Sequence, residues 1–164
     1  MPHPAGRDDA LMPQPATIIR DPTPADEPAW RQLWSQYNAF YQASIPEAVT
    51  AQTWRRMLEP GSPMFGRLAA ADGEIVGFSV SVLHDSSWTI APVCYLEDLF
   101  VGPKFRGRGC GRLLIQDLVE RARAEGWSRL YWHTRASNPA RPLYDEFAKV
   151  DDFVRYRRTF PGVI

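Results

Sequence analysis

The residue types best suited to chemistry stand together in one run, Arg106-Gly107-Arg108-Gly109-Cys110-Gly111-Arg112. Backbone N–H groups at the start of a helix have no acceptor within it and carry the positive end of its dipole. Glycines let such a backbone approach a phosphate closely, and arginines add charge and forked donors. Anion binding is the chemistry this run suits; a solvated basic loop is the plain alternative. The spacing of Gly107, Gly109 and Gly111 lacks the third glycine of the dinucleotide fingerprint, where Arg112 stands. Gly102 to Gly107 has P-loop spacing, but Arg108-Gly109 replaces the Lys-Ser/Thr pair, so the magnesium-binding hydroxyl is missing. Upstream, Glu97 and Asp98 are adjacent carboxylates inside the apolar run Tyr95 to Val101. Strand alternation puts Tyr95, Glu97, Leu99 and Val101 on one face and Leu96, Asp98 and Phe100 on the other. Burying both carboxylates without partners is costly. One of them facing a cleft relieves that cost, and desolvation raises its pKa toward a value useful for proton transfer. Pairing with basic residues is the alternative.

Elements that can position these groups are readable on both sides. Tyr95 to Val101 is a buried strand, and Gly102-Pro103 ends it. Leu113, Leu114, Ile115, Leu118, Val119 and Ala122 recur along one helical face, with Gly126 as the stop, which predicts a helix over 111–125. Arg129 to Thr134 is the next strand, so the unit is strand–helix–strand with parallel pairing. Before it, Ala16 to Arg20 is an edge strand and Asp26 a candidate N-cap. Trp30, Leu33, Trp34, Tyr37, Phe40 and Tyr41 form an amphipathic helix, and a second helix runs from about Glu47 to Leu58. The aromatic face of the first packs a core, while Tyr37 and Tyr41 at its far end suit the lining of an acceptor pocket. Asp72-Gly73 joins two strands, Phe65–Ala71 and Glu74–Leu83, and Gly77 signals a bulge or a close backbone approach. A short helix from about Pro139 to Lys149, with Asn138 as candidate cap, and a last strand over Phe153 to Phe160 complete the chain. The order β-α-α-β-β-β-α-β-α-β predicts one mixed α/β domain over 16–164, with a central twisted sheet of about six to seven strands and about four helices.

Arg106-x-x-Gly109-x-Gly111 directly after a strand resembles the acetyl-CoA signature of the GCN5-related N-acetyltransferase (GNAT) superfamily, written Q/R-x-x-G-x-G/A. With YLEDLFV before it and Asn138-x-x-Arg141-x-Leu143-Tyr144-Asp145 after it, the chain is similar to the diamine and fungal histone/polyamine acetyltransferase branch over roughly 17–160. The resemblance implies acetyl-CoA as cofactor, bound along Leu99, Phe100, Val101, the Arg106–Arg112 turn, Asn138, Arg141 and Tyr144. It also implies that main-chain N–H groups near Leu99 to Val101 hold the thioester carbonyl where two parallel strands splay apart. Acetylating an amine requires removal of a proton from a group with pKa near ~10.4 and a proton for the leaving thiolate. The resemblance points to Glu97 as the base, also touching the acceptor, and to Tyr144 as the acid, although Tyr144 could equally pack a core. The Gly-Phe pair common after that tyrosine is absent here, which bears on the acceptor rim. The implied activity is acetyl transfer to a primary amine of a small molecule, polyamine-like or amino-acid-like. Protein-lysine acetylation and a catalytically silent coenzyme-A sensor are the alternatives.

Composition agrees with an ordinary soluble domain: 164 residues, 45% hydrophobic and 23% charged, with zero formal net charge. No overall field recruits nucleic acid or a membrane, and no apolar run approaches the ~20 residues that span a bilayer. Residues 1–15 carry four prolines and no apolar segment of signal-peptide length, and read as a disordered tail. Two cysteines without a secretory signal place the protein in a reducing cytoplasm, and Cys110 fills space in the turn, since no nearby histidine activates it. His3, His84 and His133 are scattered, with no metal-ligand spacing. The aromatic-rich surface allows a homodimer.

Overall fold

The computed structural model describes residues 16–162, so the tail read over 1–15 lies outside the described residues. Five strands form one sheet in the order β1-β2-β3-β4-β5: Ile18–Arg20, Met64–Ala71, Glu74–Ser86, Thr89–Val101 and Arg129–Trp132. The first four pair antiparallel, and β4 pairs parallel with β5. The helices are α1 (Glu27–Phe40), α2 (Glu47–Leu58), α3 (Cys110–Glu125) and α4 (Arg141–Asp145).

Strand periodicity divides the core in two. Leu68 and Ala70 of β2, with Phe78 and Val80 of β3, face Trp30, Trp34 and Trp54 of α1 and α2. Ala69 and Ala71 face Cys110 and Leu114 of α3 on the opposite side. Trp30 is fully buried, stacked 5.4 Å from Trp34 and tilted against Trp54 at 5.0 Å, so the aromatic face of α1 is spent mainly on packing. The Asp72-Gly73 hairpin forms as expected. Gly77 lies beside a bulge, where the register passes from Ala69↔Gly77 to Ala70↔Ile75.

Several expectations change. Residues 153–160 form no strand and pair with none among the described residues, so the sheet has five strands there and not six or seven. β-favouring residues make a strand only when an edge is within reach of their backbone groups. The α4 helix is a little over one turn and does not run from 139 to 149. Asn138 precedes its start by three residues; its Oδ1 accepts from Ala140 N (2.9 Å) and its Nδ2 donates to Thr134 Oγ1 (2.7 Å), a turn lock and not a cap. Asp26 gives no side-chain cap to α1. Its carboxylate accepts two bonds from Arg20 (2.8 and 2.7 Å) and one from Thr23 N (2.7 Å), tying the β1–α1 turn back to β1.

A Cβ on Gly77 would stand 2.9 Å from the Phe100 carbonyl oxygen, a main-chain atom of β4. Gly77→Ala should therefore force β3 and β4 apart and cost about 1–3 kcal/mol in urea unfolding. A loss below a few tenths would contradict that close approach.

Candidate active site

Two local features of β4 build the site. The first is a bulge. Val80 of β3 faces Asp98 and Ser81 faces Leu96, which leaves Glu97 without a cross-strand partner. The extra residue breaks the simple alternation expected from the sequence. Leu96 and Leu99, three apart, both pack toward α3, whereas Asp98 and Phe100 turn toward α1. The second feature is a splay. Parallel pairing between β4 and β5 runs from Val93↔Arg129 to Leu96↔Trp132 and stops, while β4 continues to Val101. Gly102 N donates to Val76 O (2.9 Å) across the β3–β4 ladder. In an antiparallel ladder that bond marks Phe100 and Asp98, two and four residues back, as the positions bonded to β3. The N–H and C=O groups of Leu99 and Val101 therefore point to the open edge. Val101 O indeed accepts from Arg106 Nε there (3.1 Å).

The glycine turn stands against this edge. Gly107 (φ +74°) and Gly109 (φ +81°) are both left-handed, a conformation that side chains resist, and Gly109 sits immediately before α3. Among the described residues, the amides from Gly107 to Arg112 donate to no protein acceptor; Leu113 N is the first to bond back, to Gly109 O (3.0 Å). A run of free N–H groups at the head of a sixteen-residue helix thus faces outward.

Between turn, β4 and α4 lies a cleft of about 640 Å³. Leu99, Phe100, Val101, Arg106, Gly107, Gly109, Cys110, Gly111, Arg112, Asn138, Tyr144 and Tyr41 line it, all expected from the sequence. Phe40, Phe105, Pro139, Ala140 and Leu143 line it as well and were not anticipated. Phe40 and Phe105 flank expected residues directly, a signal that could have found them. The Cys110 thiol packs with Ala71 and Leu114, 3.8 Å from Thr17 Oγ1, so its main chain is what the cleft receives.

Other expected residues are not in the cleft wall. Arg108 stacks over Phe105, 5.5 Å from the ring centroid, and Arg141 donates to Ala136 O (3.1 Å). Arg112 lines the cleft, but its guanidinium is held by Glu146, one bond of the pair being 2.9 Å. Arg106 lies over Phe100 and Phe40 at 5.4 and 5.8 Å. Each of the motif's arginines thus contacts the protein, while the amides of the turn have no acceptor among the described residues. Glu97 is exposed at the bulge with no hydrogen-bond partner among the described residues, beside the cleft and not in its wall. Tyr37 does not reach the cleft; its hydroxyl donates to Asp98 Oδ1 at 2.6 Å, and its ring meets Tyr41 edge-on at 4.9 Å. Tyr144 packs edge-on against Trp132 (5.7 Å), and burial, with the nearby Tyr41 phenol, raises its pKa.

A central sheet, a splayed parallel strand pair and a helix headed by a free-amide turn define an acyl-coenzyme-A-dependent transferase. The profile of the Acetyltransferase (GNAT) family matches residues 27–148, and the chain belongs to that family. Its members use acetyl-CoA, and this protein is an N-acetyltransferase. D-amino-acid N-acetyltransferase HPA3 of Saccharomyces cerevisiae is 34% identical over 86% of this chain and 89% of its own length. Aminoglycoside N(6')-acetyltransferase type 1 of Stenotrophomonas maltophilia is 34% identical over 70% and 69%. Among solved structures, ribosomal-protein-alanine N-acetyltransferase from Brucella melitensis superposes with TM-score 0.74 at 24% identity, covering 88% of this chain and all of that one. The aminoglycoside acetyltransferase AAC(6')-Iy, solved with a bisubstrate coenzyme-A analogue, superposes with TM-score 0.71 at 23% identity, covering 88% and 99%. The cleft fits this cofactor: free amides suit a pyrophosphate, and the open edge of β4 suits an amide-bearing arm.

Asp98 yields a pH-dependent expectation. Burial, only partly offset by the Tyr37 hydrogen bond, raises its pKa from 3.8 to about 6, and Glu97 adds to the rise. The folded state holds that proton more tightly than the unfolded chain, so the stabilisation is complete below about pH 4 and is lost as pH rises through about 6. Asp98→Asn keeps an acceptor for Tyr37 and removes the desolvated charge. It should be more favourable at pH 7.5 than at pH 5 by about 1–2 kcal/mol in urea midpoints. An equal effect at both pH values would contradict the assignment.

Proposed function

We propose that the protein acetylates a free amine of a small molecule, amino-acid-like or polyamine-like, by direct attack on the thioester. The observation that carries this reading is the outward pair of main-chain N–H groups at Leu99 and Val101 beside the free amides of 107–112, in one cleft. Acetyl-CoA, when bound, supplies an activated acetyl group. The amides of Gly107 to Arg112 hold its pyrophosphate, and those of Leu99 and Val101 receive the carbonyl oxygen and the charge that builds on it. Glu97, free of any ion pair, takes the acceptor's ammonium proton directly or through water. The half-buried Tyr144 phenol, its pKa raised, stays protonated at neutral pH and donates to the leaving sulfur.

The acceptor class is supported by the relatives, whose names specify a D-amino acid, an aminoglycoside and, for the Caenorhabditis elegans enzyme 33% identical over 58% of this chain, thialysine. All are small molecules with an exposed amine. Tyr41 and Phe40 at the cleft suit the apolar stem of such an acceptor or its cation. The buried, unpaired Cys94 and Cys110 suit the reducing cytoplasm.

A thiol-release assay against amino acids, diamines, aminoglycosides and a lysine peptide tests the reading. Turnover is expected with a free small amine, and peptide-only turnover would overturn it. Glu97→Gln should lower kcat by about 10²–10⁴-fold, and Tyr144→Phe by at least about tenfold, with coenzyme affinity retained. Unchanged kcat in both would remove these residues from their roles. Gly109→Val, at a left-handed position with open space around it, should weaken calorimetric coenzyme-A binding by about tenfold or more without altering the fold.

A further inference from the structure

We infer that Arg135 selects the acceptor by binding a carboxylate, so that the substrate is a zwitterionic amino acid and not a polyamine; this rests on the reading of acetyl transfer to a small amine. The strands that part after Leu96 form the two banks of a groove on the sheet face away from α3. Leu96 and Trp132 pack toward α3, so Tyr95 and Tyr131 take the other face, where their rings stack at 5.1 Å. His133 continues that row, edge-on to Tyr95 at 5.4 Å and to Tyr131 at 5.8 Å. Two residues further on, Arg135 places its guanidinium 5.4 Å from the centroid of Tyr41, the residue that follows α1 and lines the cleft.

The two banks differ in charge. The carboxylates whose field reaches Tyr95 and Tyr37 are Glu97 and Asp98, both on the β4 side, and Asp98 is already committed to the Tyr37 hydroxyl. On the β5 side Arg135 has no ion-pair or hydrogen-bond partner among the described residues, and its contact with Tyr41 leaves the N–H donors in the guanidinium plane free. Arg155 adds a second positive field at Tyr95. The cation is tied to the base's neighbour through two rings: Asp98 holds Tyr37, Tyr37 meets Tyr41 edge-on, and Arg135 covers Tyr41. An acceptor whose ammonium lies toward Glu97 and whose carboxylate lies toward Arg135 matches both banks, and the guanidinium fork suits a carboxylate. A polyamine presents a second ammonium to Arg135 and finds no free acidic partner on that bank, so like-charge repulsion rejects it. Tyr41 already has a cation over its ring, which leaves its apolar surface for the acceptor's stem.

Pairs of amines that differ only by a carboxylate test this: racemic lysine against cadaverine and racemic phenylalanine against phenethylamine, each with acetyl-CoA and the full chain. The wild type should show kcat/KM about 10–100-fold higher for the amino acid, mainly through KM. Arg135→Ala should bring that ratio close to one, Arg135→Lys should keep part of it, and Arg135→Glu should turn it in favour of cadaverine. Calorimetric coenzyme-A affinity should stay near the wild-type value in all three variants, since Arg135 is outside the cleft wall. A purely structural role through Tyr41 would lower both members of a pair alike and leave their ratio unchanged. That result, a wild type that treats both members alike or prefers the plain amine, or a preference that survives Arg135→Glu would overturn the inference while leaving acetyl transfer to small amines in place. Turnover of a lysine peptide with none of these small amines would instead overturn that reading, and the inference with it.

Discussion

The interruption of pairing along β4 is the constraint from which the site follows. β4 stays bonded to β3 nearly to its end but has β5 beside it only as far as Leu96. Beyond that point the sheet offers main-chain groups that would otherwise be spent on a neighbour. An unpaired edge is usually a liability, and here it faces a cleft closed by the α3 turn and α4. Leu114, Ile115 and Leu118 anchor α3 to the sheet, so the head of that helix is held rigidly against the opened strand. Edge donors and helix-head donors therefore converge on one space.

The bulge gives two adjacent carboxylates different surroundings. Asp98 turns under α1, is desolvated, and is met by the Tyr37 hydroxyl. Glu97 is pushed out of the ladder and remains exposed. A regular strand would also have separated them by face, but it would have kept Glu97 paired across from β3 and aligned with Leu99. Asp98 and Tyr37 thus serve to hold the bulge, with α1 clamped to β4 at the residue next to it. The arginines of the turn divide similarly: Arg112 joins α3 to the segment after α4 through Glu146, and Arg106 covers the Val101 carbonyl and two aromatic rings. Positive charge surrounds the turn, while the directed donors are main-chain.

Much of this was legible in the residues. The strand–turn–helix around Arg106–Arg112 shows in an apolar run, two dihedral-permissive glycines and a helical stripe, all local signals. The Asp72-Gly73 hairpin and the α1 and α2 helices are local in the same sense. Motif position puts Arg141 and Arg108 at the site, and the far end of an aromatic helix face puts Tyr37 there, but which way a side chain turns depends on neighbours far along the chain. Residues 153–160 read as a strand because propensity is local, whereas pairing needs a partner that the single chain does not bring to them.

The order of residues by itself determined most of the element types, the glycine turn before α3, the chemistry that turn can do and the family to which the chain belongs, because each is written in short-range pattern and spacing. Only the tertiary structure decided that Glu97 leaves the ladder, that Asp98 is the half-buried partner of Tyr37, and that β4 and β5 part after Leu96. Those outcomes depend on register between strands and on helices packed from distant sequence, where a shift of one residue exchanges an exposed carboxylate for a half-buried one.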